Sequence, residues 1–208
     1  MNVAVLIHGG FWRTPYGPDL MAPLAHDLKA RGWQPVCLSY RRLGEAGGGW
    51  PGTFDDVRDA VAELHDVGAD RIAVIGHSAG GHLALWLAAQ GVWPLGRPPA
   101  VAVALAGVVD LAEADRLGLS GGAAAELVAG DRSRFARASP RERLPLGVRQ
   151  LLVHGAEDDT VPAAMSEAYA AAARQAGDEV ELVVVPGEGH FAPIDPASRC
   201  WAEVAARL

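Results

Sequence analysis

The stretch Arg71-Ile72-Ala73-Val74-Ile75-Gly76-His77-Ser78-Ala79-Gly80-Gly81-His82-Leu83-Ala84-Leu85 decides the fold. Its first five residues read as a buried strand and its last as the start of a helix. Between them stands Gly76-x-Ser78-x-Gly80. A serine held on a sharp strand-to-helix turn adopts a strained backbone. Small residues two before and two after it let neighbouring backbone approach. The turn lifts the hydroxyl above the sheet, at the N-terminus of a helix whose dipole favours developing negative charge. Alone, the pattern is a modest signal. Set between a strand and a helix, it predicts a nucleophile elbow with Ser78 as the candidate nucleophile.

Outward from this turn, five more apolar runs lie at 3–7, 35–39, 101–105, 150–154 and 180–185. They are continuous rather than alternating, as in strands buried on both faces of a parallel sheet. Helical patterns separate them. Leu20, Leu24 and Leu28 form one stripe, stopped by Gly32. Thr53 with Asp56 three residues on predicts an N-cap, and Val57, Val61 and Leu64 carry that helix to Gly68. A third helix spans 78–90, and a fourth follows Pro162 and ends at Gly177. A last one, capped at Asp195 with Pro196 at its first position, reaches Leu208. This alternation predicts an α/β fold: about six mostly parallel strands with helices on both faces. Residues 107–149 exceed an ordinary connection. They contain Gly121-Gly122, a helical piece at 123–128 and Ser139-Pro140, and read either as a small cap over the site or as an extended crossover.

The 208 residues suit one domain, and 50% apolar content supports a core. A net charge of −7 argues against nucleic acid, which is bound chiefly through Lys and Arg contacts to phosphate. Lys29 is the sole lysine, and the arginines are scattered as on a solvated surface. Cys37 and Cys200 lack metal-ligand spacing, so no metal is expected, and they fit a reduced, cytoplasmic setting. Val3 to Ile7 is too short an apolar run for a secretory signal. No run reaches the roughly 18 residues of a membrane span, so no membrane partner is expected.

A serine hydroxyl is a weak nucleophile and needs a base. After an elbow of this type, the acid and then the histidine follow in chain order. His190, in Gly187-Glu188-Gly189-His190-Phe191, is the one histidine beyond the acidic loop that follows residues 150–154. The other histidines read otherwise: His26 and His65 on helix surfaces, His82 packed in its helix, His77 beside the nucleophile, His8 and His154 bracing loops at strand ends. The acid stays open among Glu157, Asp158, Asp159 and Asp195. For the oxyanion, the N–H of Ala79 is one donor, and the glycines of His8-Gly9-Gly10-Phe11-Trp12 let the backbone turn to supply others.

Over nearly its whole length the sequence resembles the α/β-hydrolase superfamily, in particular the esterase branch that includes kynurenine formamidase-like and hormone-sensitive-lipase-like enzymes. His8-Gly9-Gly10-Phe11-Trp12 resembles that branch's oxyanion motif, which adds the N–H groups of Gly10 and Phe11 to that of Ala79. Phe11 stands where lipases often have a third glycine. Residues 154–162 resemble the pattern H-G-x-x-D-x-x-V-P, and this match selects Asp158 as the acid. Gly189-His190 matches the catalytic loop. Larger members carry two strands before the oxyanion strand. Here that strand comes first, so the resemblance implies a trimmed six-stranded core with an exposed sheet edge available for homodimerisation.

The expected function is cleavage of small carboxylic esters by a serine hydrolase that needs no cofactor. The alternative within enzymes is an arylformamidase acting on N-formylkynurenine-like amides, since the motifs are shared. A peptidase is disfavoured, because nothing in the chain resembles the large gating domain of oligopeptidases. From another class, a non-catalytic hydrolase-like binding protein is the alternative, disfavoured because all three triad residues are present. Trp12, Trp50 and Phe191 are the candidate pocket aromatics. The charged composition of 107–149, with Arg116, Arg132, Arg134, Arg137, Arg141 and Arg143, argues against a lipase lid and for short acyl or compact aryl substrates.

Overall fold

The structure, a computed structural model, describes residues 1–64, 68–89 and 98–208. Its centre is a six-stranded, wholly parallel sheet in the order β2-β1-β3-β4-β5-β6. The strands are β1 (Asn2–Ile7), β2 (Trp33–Leu38), β3 (Arg71–His77), β4 (Val101–Leu105), β5 (Gln150–Gly155) and β6 (Val180–Val185). All six apolar runs of the sequence become strands. Residues of β4 and β5 are buried throughout, and β1 and β3 after their first residue. The edge strands β2 and β6 are only partly covered.

The helices are α1 (Ala22–Ala30), α2 (Gly52–Ala62), α3 (Ala79–Ala88), α4 (Leu111–Arg116), α5 (Ala123–Leu127), α6 (Phe135–Ala138), α7 (Ala163–Gln175) and α8 (Arg199–Ala205). Side chains alternate across a strand, and the central strands feed two cores accordingly. Val3, Val5 and Ile7 of β1 pack with Phe54 and Val57 of α2, with α3 and with Tyr169 of α7. Ala4 and Leu6 point the other way, onto Leu24 and Leu28 of α1 and Trp201 and Val204 of α8. No helix among the described residues is long and apolar enough to cross a membrane.

Two predicted helix starts are corrected. Thr53 is not the N-cap of α2; it lies inside the helix, which begins at Gly52. Its buried hydroxyl accepts from the Gly49 N–H at 2.9 Å and donates to the Arg41 carbonyl at 2.5 Å. Asp56 is drawn to the Arg41 guanidinium at 2.7 Å instead of back to the helix end. The last helix starts at a Ser198 cap that accepts from the Trp201 N–H at 2.9 Å, and Asp195 instead accepts from the Ala197 N–H. The predicted run of the second helix past Leu64, with His65, and the end of the third at Gln90 fall outside the described residues. Residues 107–149 fold into α4, α5, α6 and short turns that lean on α3: the Ala138 carbonyl accepts from His82 Nε2 at 2.9 Å and the Arg137 carbonyl from Trp86 Nε1 at 3.0 Å.

The chain leaves β1 toward one edge, to β2, and later leaves β3 toward the other. β1 and β3 are therefore neighbours whose following loops diverge, the switch point at which open α/β sheets place ligands.

Candidate active site

Two loops of the candidate site leave β1 and β3 side by side, since Ile7 pairs with Gly76 across the ladder. Ser78, between β3 and α3, has φ 54° and ψ −116°, a conformation that costs an L-residue about 1–3 kcal/mol. Neighbours hold it there. Its N–H donates to the Leu105 carbonyl at 2.8 Å, and its carbonyl accepts from the Val108 N–H at 3.1 Å. The two motif glycines are a steric necessity. A Cβ on Gly76 would lie 1.9 Å from the Gly80 carbonyl oxygen, and one on Gly80 would lie 2.0 Å from that of Ile7. The Ser78 hydroxyl is enclosed and has no hydrogen-bond partner among the described residues.

Gly155 at the end of β5 pairs with Val185 at the end of β6, which brings the acidic and histidine loops together. A Cβ on Gly155 would stand 2.2 Å from the Glu188 carbonyl oxygen. Of the four acids left open by the sequence, Asp158 is the one the structure sets against His190. His190 Nδ1–H donates to Asp158 Oδ2 at 2.7 Å. With Nδ1 engaged by the carboxylate, Nε2 is the ring nitrogen left open. Asp159 instead receives the Thr160 hydroxyl on the exposed side of the loop.

The Asp158 side chain is fully enclosed. Its Oδ1 accepts from the N–H groups of Thr160 at 2.9 Å and Val161 at 2.8 Å. A second histidine shares Oδ2: His154 Nε2 lies 3.0 Å from it and 2.9 Å from the Val161 carbonyl, while the Ser166 hydroxyl donates to His154 Nδ1 at 2.8 Å. Burial pushes the Asp158 carboxyl up, but the hydrogen bonds from His154, His190 and Val161 outweigh it and hold the group well below the usual carboxylate range.

His77 completes the arrangement from beneath. Its Nε2–H donates to the His190 carbonyl at 2.9 Å, and the two rings stand 4.8 Å apart. Burial, reinforced by repulsion from His190, lowers the His77 pKa to about 3 and keeps that ring neutral. Neither His77 nor His154 was singled out by the sequence as more than a neighbour or a brace. The signal for His154 was its place four residues before Asp158.

The loop after β1 carries three successive residues with positive φ: Gly10 (105°), Phe11 (48°) and Trp12 (59°). Successive N–H groups in a turn of this kind form an anion-binding concavity. A Cβ on Gly9 would meet Ser78 Cβ at 3.0 Å, so this backbone lies directly against the nucleophile. His8 anchors the loop by its Nδ1–H to the Gly9 carbonyl at 2.8 Å, and Tyr40 donates to the His8 carbonyl at 2.9 Å. Ala79 begins α3 directly after Ser78.

Ser78 and His190 line one cleft of about 60 Å³, walled by Phe11, Tyr16, Leu20 and Phe191. Of the three aromatics expected there, only Phe191 is present. Trp12 is wholly buried beneath the loop after β1, where its indole Nε1–H donates to His82 Nδ1 at 3.2 Å. Trp50 packs edge-on against Phe54 at 4.8 Å and faces a different cleft with Arg137. Tyr16 and Leu20 replace them. Both come from the segment between β1 and α1, and no sequence motif marks them.

A parallel sheet with a strained serine elbow at its switch point, and acid and histidine loops on the strands beyond, defines an α/β-hydrolase. The model of the prolyl oligopeptidase family matches residues 52–206, and the chain belongs to that family. The BD-FAE model matches residues 1–92, across the loop after β1 and the turn at Ser78. No curated protein matches the chain. Among solved structures it is similar to an acetyl ester-xyloside bifunctional hydrolase from Caldicellulosiruptor lactoaceticus, with TM-score 0.80 and 21% identity, over 100% of this chain and 81% of that one. It is also similar to esterase 2 of Thermogutta terrifontis phosphoramylated by tabun, with TM-score 0.79 and 21% identity, over 99% and 81% of the two chains. Esterase B from Lactobacillus rhamnosis gives TM-score 0.83 at 19% identity, over 100% and 73%.

Proposed function

We propose that this chain is a serine hydrolase that cleaves small carboxylic esters through an acyl-enzyme. The observation that carries the reading is the Ser78 hydroxyl, unpaired in its strained turn, sharing a cleft with a histidine whose Nδ1–H is held by a buried carboxylate. In this mechanism Ser78 Oγ attacks the ester carbonyl and its proton passes to His190 Nε2. Asp158 keeps the proton on Nδ1 and stabilises the imidazolium. The N–H groups of Gly10, Phe11 and Ala79 receive the oxyanion. Collapse breaks the C–O bond, and the leaving alkoxide takes the proton from Nε2. Water, deprotonated by the same nitrogen, then releases the acid and restores Ser78.

The cleft's small volume, about 60 Å³ with Tyr16 and Phe191 in its lining, favours short acyl groups. Ester chemistry is supported by the names of the similar structures, two esterases and an acetyl ester hydrolase, one of them modified by tabun. Nothing comparable favours the formamidase alternative. We further propose that residues 107–149 are an extended crossover within a single domain and not a lid, since none of them lines the Ser78 cleft.

A fluorophosphonate probe tests the assignment. Ser78 is expected to be labelled in the native chain, and prior labelling is expected to abolish hydrolysis of p-nitrophenyl acetate. An unlabelled Ser78 in folded protein would leave a non-catalytic binding protein as the reading. Membership of the prolyl oligopeptidase family sets a peptidase reading beside the ester one. Faster turnover of an aminoacyl p-nitroanilide than of p-nitrophenyl acetate would decide for it.

A further inference from the structure

The arginines of residues 107–149 divide into two sets. Arg116, Arg132, Arg134, Arg141 and Arg149 lie 2.6, 2.5, 3.1, 4.0 and 3.6 Å from Glu113, Asp115, Asp131, Asp110 and Glu179. Arg137 and Arg143 pair with no carboxylate among the described residues, yet both line one cleft. Arg143 Nη2 donates to the Ala89 carbonyl at 3.0 Å and Nη1 reaches the Arg137 carbonyl at 3.5 Å. Its Nε–H is enclosed and has no acceptor among the described residues. Burial, together with the charge of Arg137, holds the Arg143 guanidinium below the usual arginine range.

The cleft measures about 140 Å³ and lies between α2, α3 and α6. One side of its lining is aromatic: Trp50 and Trp86 each meet Phe54 edge-on at 4.8 Å, and four charged residues, Asp55, Arg58, Arg137 and Arg143, complete it. The Arg137 guanidinium stands 5.3 Å from the centre of the Trp50 ring. At the rim, Asp55 and Arg58 satisfy each other at 2.9 Å, and Asp59 also holds Arg58. The uncompensated charge inside is therefore the arginine pair. Two guanidinium groups lining one cleft with no carboxylate partner among the described residues are poised for an anion, and the guanidinium fork matches a carboxylate in two-point contact. In volume the cleft is comparable to a cavity of about 150 Å³ that holds a benzene ring.

We propose that this cleft is a second binding site, which takes a small aromatic carboxylate with its charge on Arg137 and Arg143 and its ring against Trp50, Phe54 and Trp86. Trp86 lies eight residues beyond Ser78, about 12 Å along α3 at 1.5 Å per residue, so the two sites are separate. The proposal does not depend on the ester-hydrolase reading, because this cleft and the Ser78 cleft share no lining residue.

The test is calorimetric titration of the full chain with benzoate and with benzamide, its neutral isostere. Benzoate is expected to saturate one site and benzamide to bind at least about tenfold more weakly, as befits loss of one charged hydrogen-bonding group. Arg137→Gln and Arg143→Gln are each expected to weaken benzoate by about tenfold or more, while Tyr16→Ala, in the Ser78 cleft, leaves its affinity unchanged. Because Arg143 also holds the Ala89 carbonyl, the benzoate–benzamide comparison on the unaltered chain stands as the primary reading. Equal affinity for the two ligands, no saturable benzoate binding, or affinity lost in Tyr16→Ala but kept in both arginine variants would overturn the proposal.

Discussion

Asp158→Asn places an amide where two imidazoles and two backbone groups all donate. Oδ2 receives His190 Nδ1 at 2.7 Å and His154 Nε2 at 3.0 Å, and Oδ1 receives the Thr160 and Val161 N–H groups at 2.9 and 2.8 Å. An amide NH₂ on the Oδ2 side faces two ring donors; flipped, it faces two backbone donors. Neither orientation satisfies the site. His190 then relieves the conflict by moving its proton to Nε2, which removes the base from Ser78. A wrong tautomer of this kind costs on the order of 10⁴ in kcat, or about 5.5 kcal/mol on the barrier at 1.36 kcal/mol per tenfold. Two enclosed donors losing their acceptor cost a further 2–4 kcal/mol or so of folding stability. Asp159→Asn is the control. Asp159 is exposed and accepts only the Thr160 hydroxyl at 3.1 Å, so its loss is expected to stay within about threefold. The assay is kcat and KM for p-nitrophenyl acetate on both variants, with thermal melts to show each is folded. A folded Asp158→Asn within tenfold of the native rate, or a larger loss in Asp159→Asn, would refute the assignment.

Gly80→Ala drives a methyl to 2.0 Å from the Ile7 carbonyl oxygen and 2.6 Å from that of His8, and backbone cannot yield. It is expected to destabilise by about 2–3 kcal/mol and, by displacing the oxyanion loop, to reduce kcat/KM about 100-fold, measured by melts and ester turnover. In the native state burial lowers His77 to about 3 and His82 to about 4, whereas both rise to about 6.5 on unfolding. The unfolded chain therefore takes up these protons first as pH falls below about 6.5, and stability declines by about 5 kcal/mol between pH 7 and 4.5; His82→Gln should make the denaturant-measured slope shallower by one proton, about 1.4 kcal/mol per pH unit. Within the ester reading, kcat/KM is expected to be highest for p-nitrophenyl acetate or butyrate and to fall through octanoate and palmitate, with Tyr16→Ala shifting the optimum longer; a native maximum at octanoate would contradict the cleft's size. Excess chelator is expected to leave ester hydrolysis unchanged.

The strands and the elbow were legible because their signals are local. A run such as 101–105 is apolar at every position since both faces of β4 are covered. Gly76 and Gly80 are glycine because backbone passes within bonding distance of where a Cβ would sit. Asp158 needed the family pattern, as three consecutive acids are chemically equivalent until the chain turns one of them inward. The misplacement of Trp12 and Trp50 has a single origin. Proximity in sequence to a motif glycine says nothing about which side of the loop a ring occupies, and the Trp12 ring lies in the core. Tyr16 and Leu20 were invisible for the complementary reason: they reach the cleft through the path of a whole segment, which no short pattern encodes. The helix starts at Thr53 and Asp195 failed because a side chain able to cap found a stronger partner elsewhere, the Arg41 carbonyl in one case and the Ala197 N–H in the other.

The loops after β3, β5 and β6 are fastened to one another: the His77 side chain holds the carbonyl of His190, the Glu157 N–H donates to the Glu188 carbonyl at 2.9 Å, and Gly155 abuts that same carbonyl. For an engineer, this makes the acid and histidine loops a single cassette. Transplanting one without the other, or altering the length of either, unseats both. Tyr16 and Leu20, in contrast, hang from a segment outside that cassette and project into the cleft from across it. Libraries aimed at new acyl groups therefore belong on residues 13–21, where the wall can be reshaped while the reactive groups keep their registration.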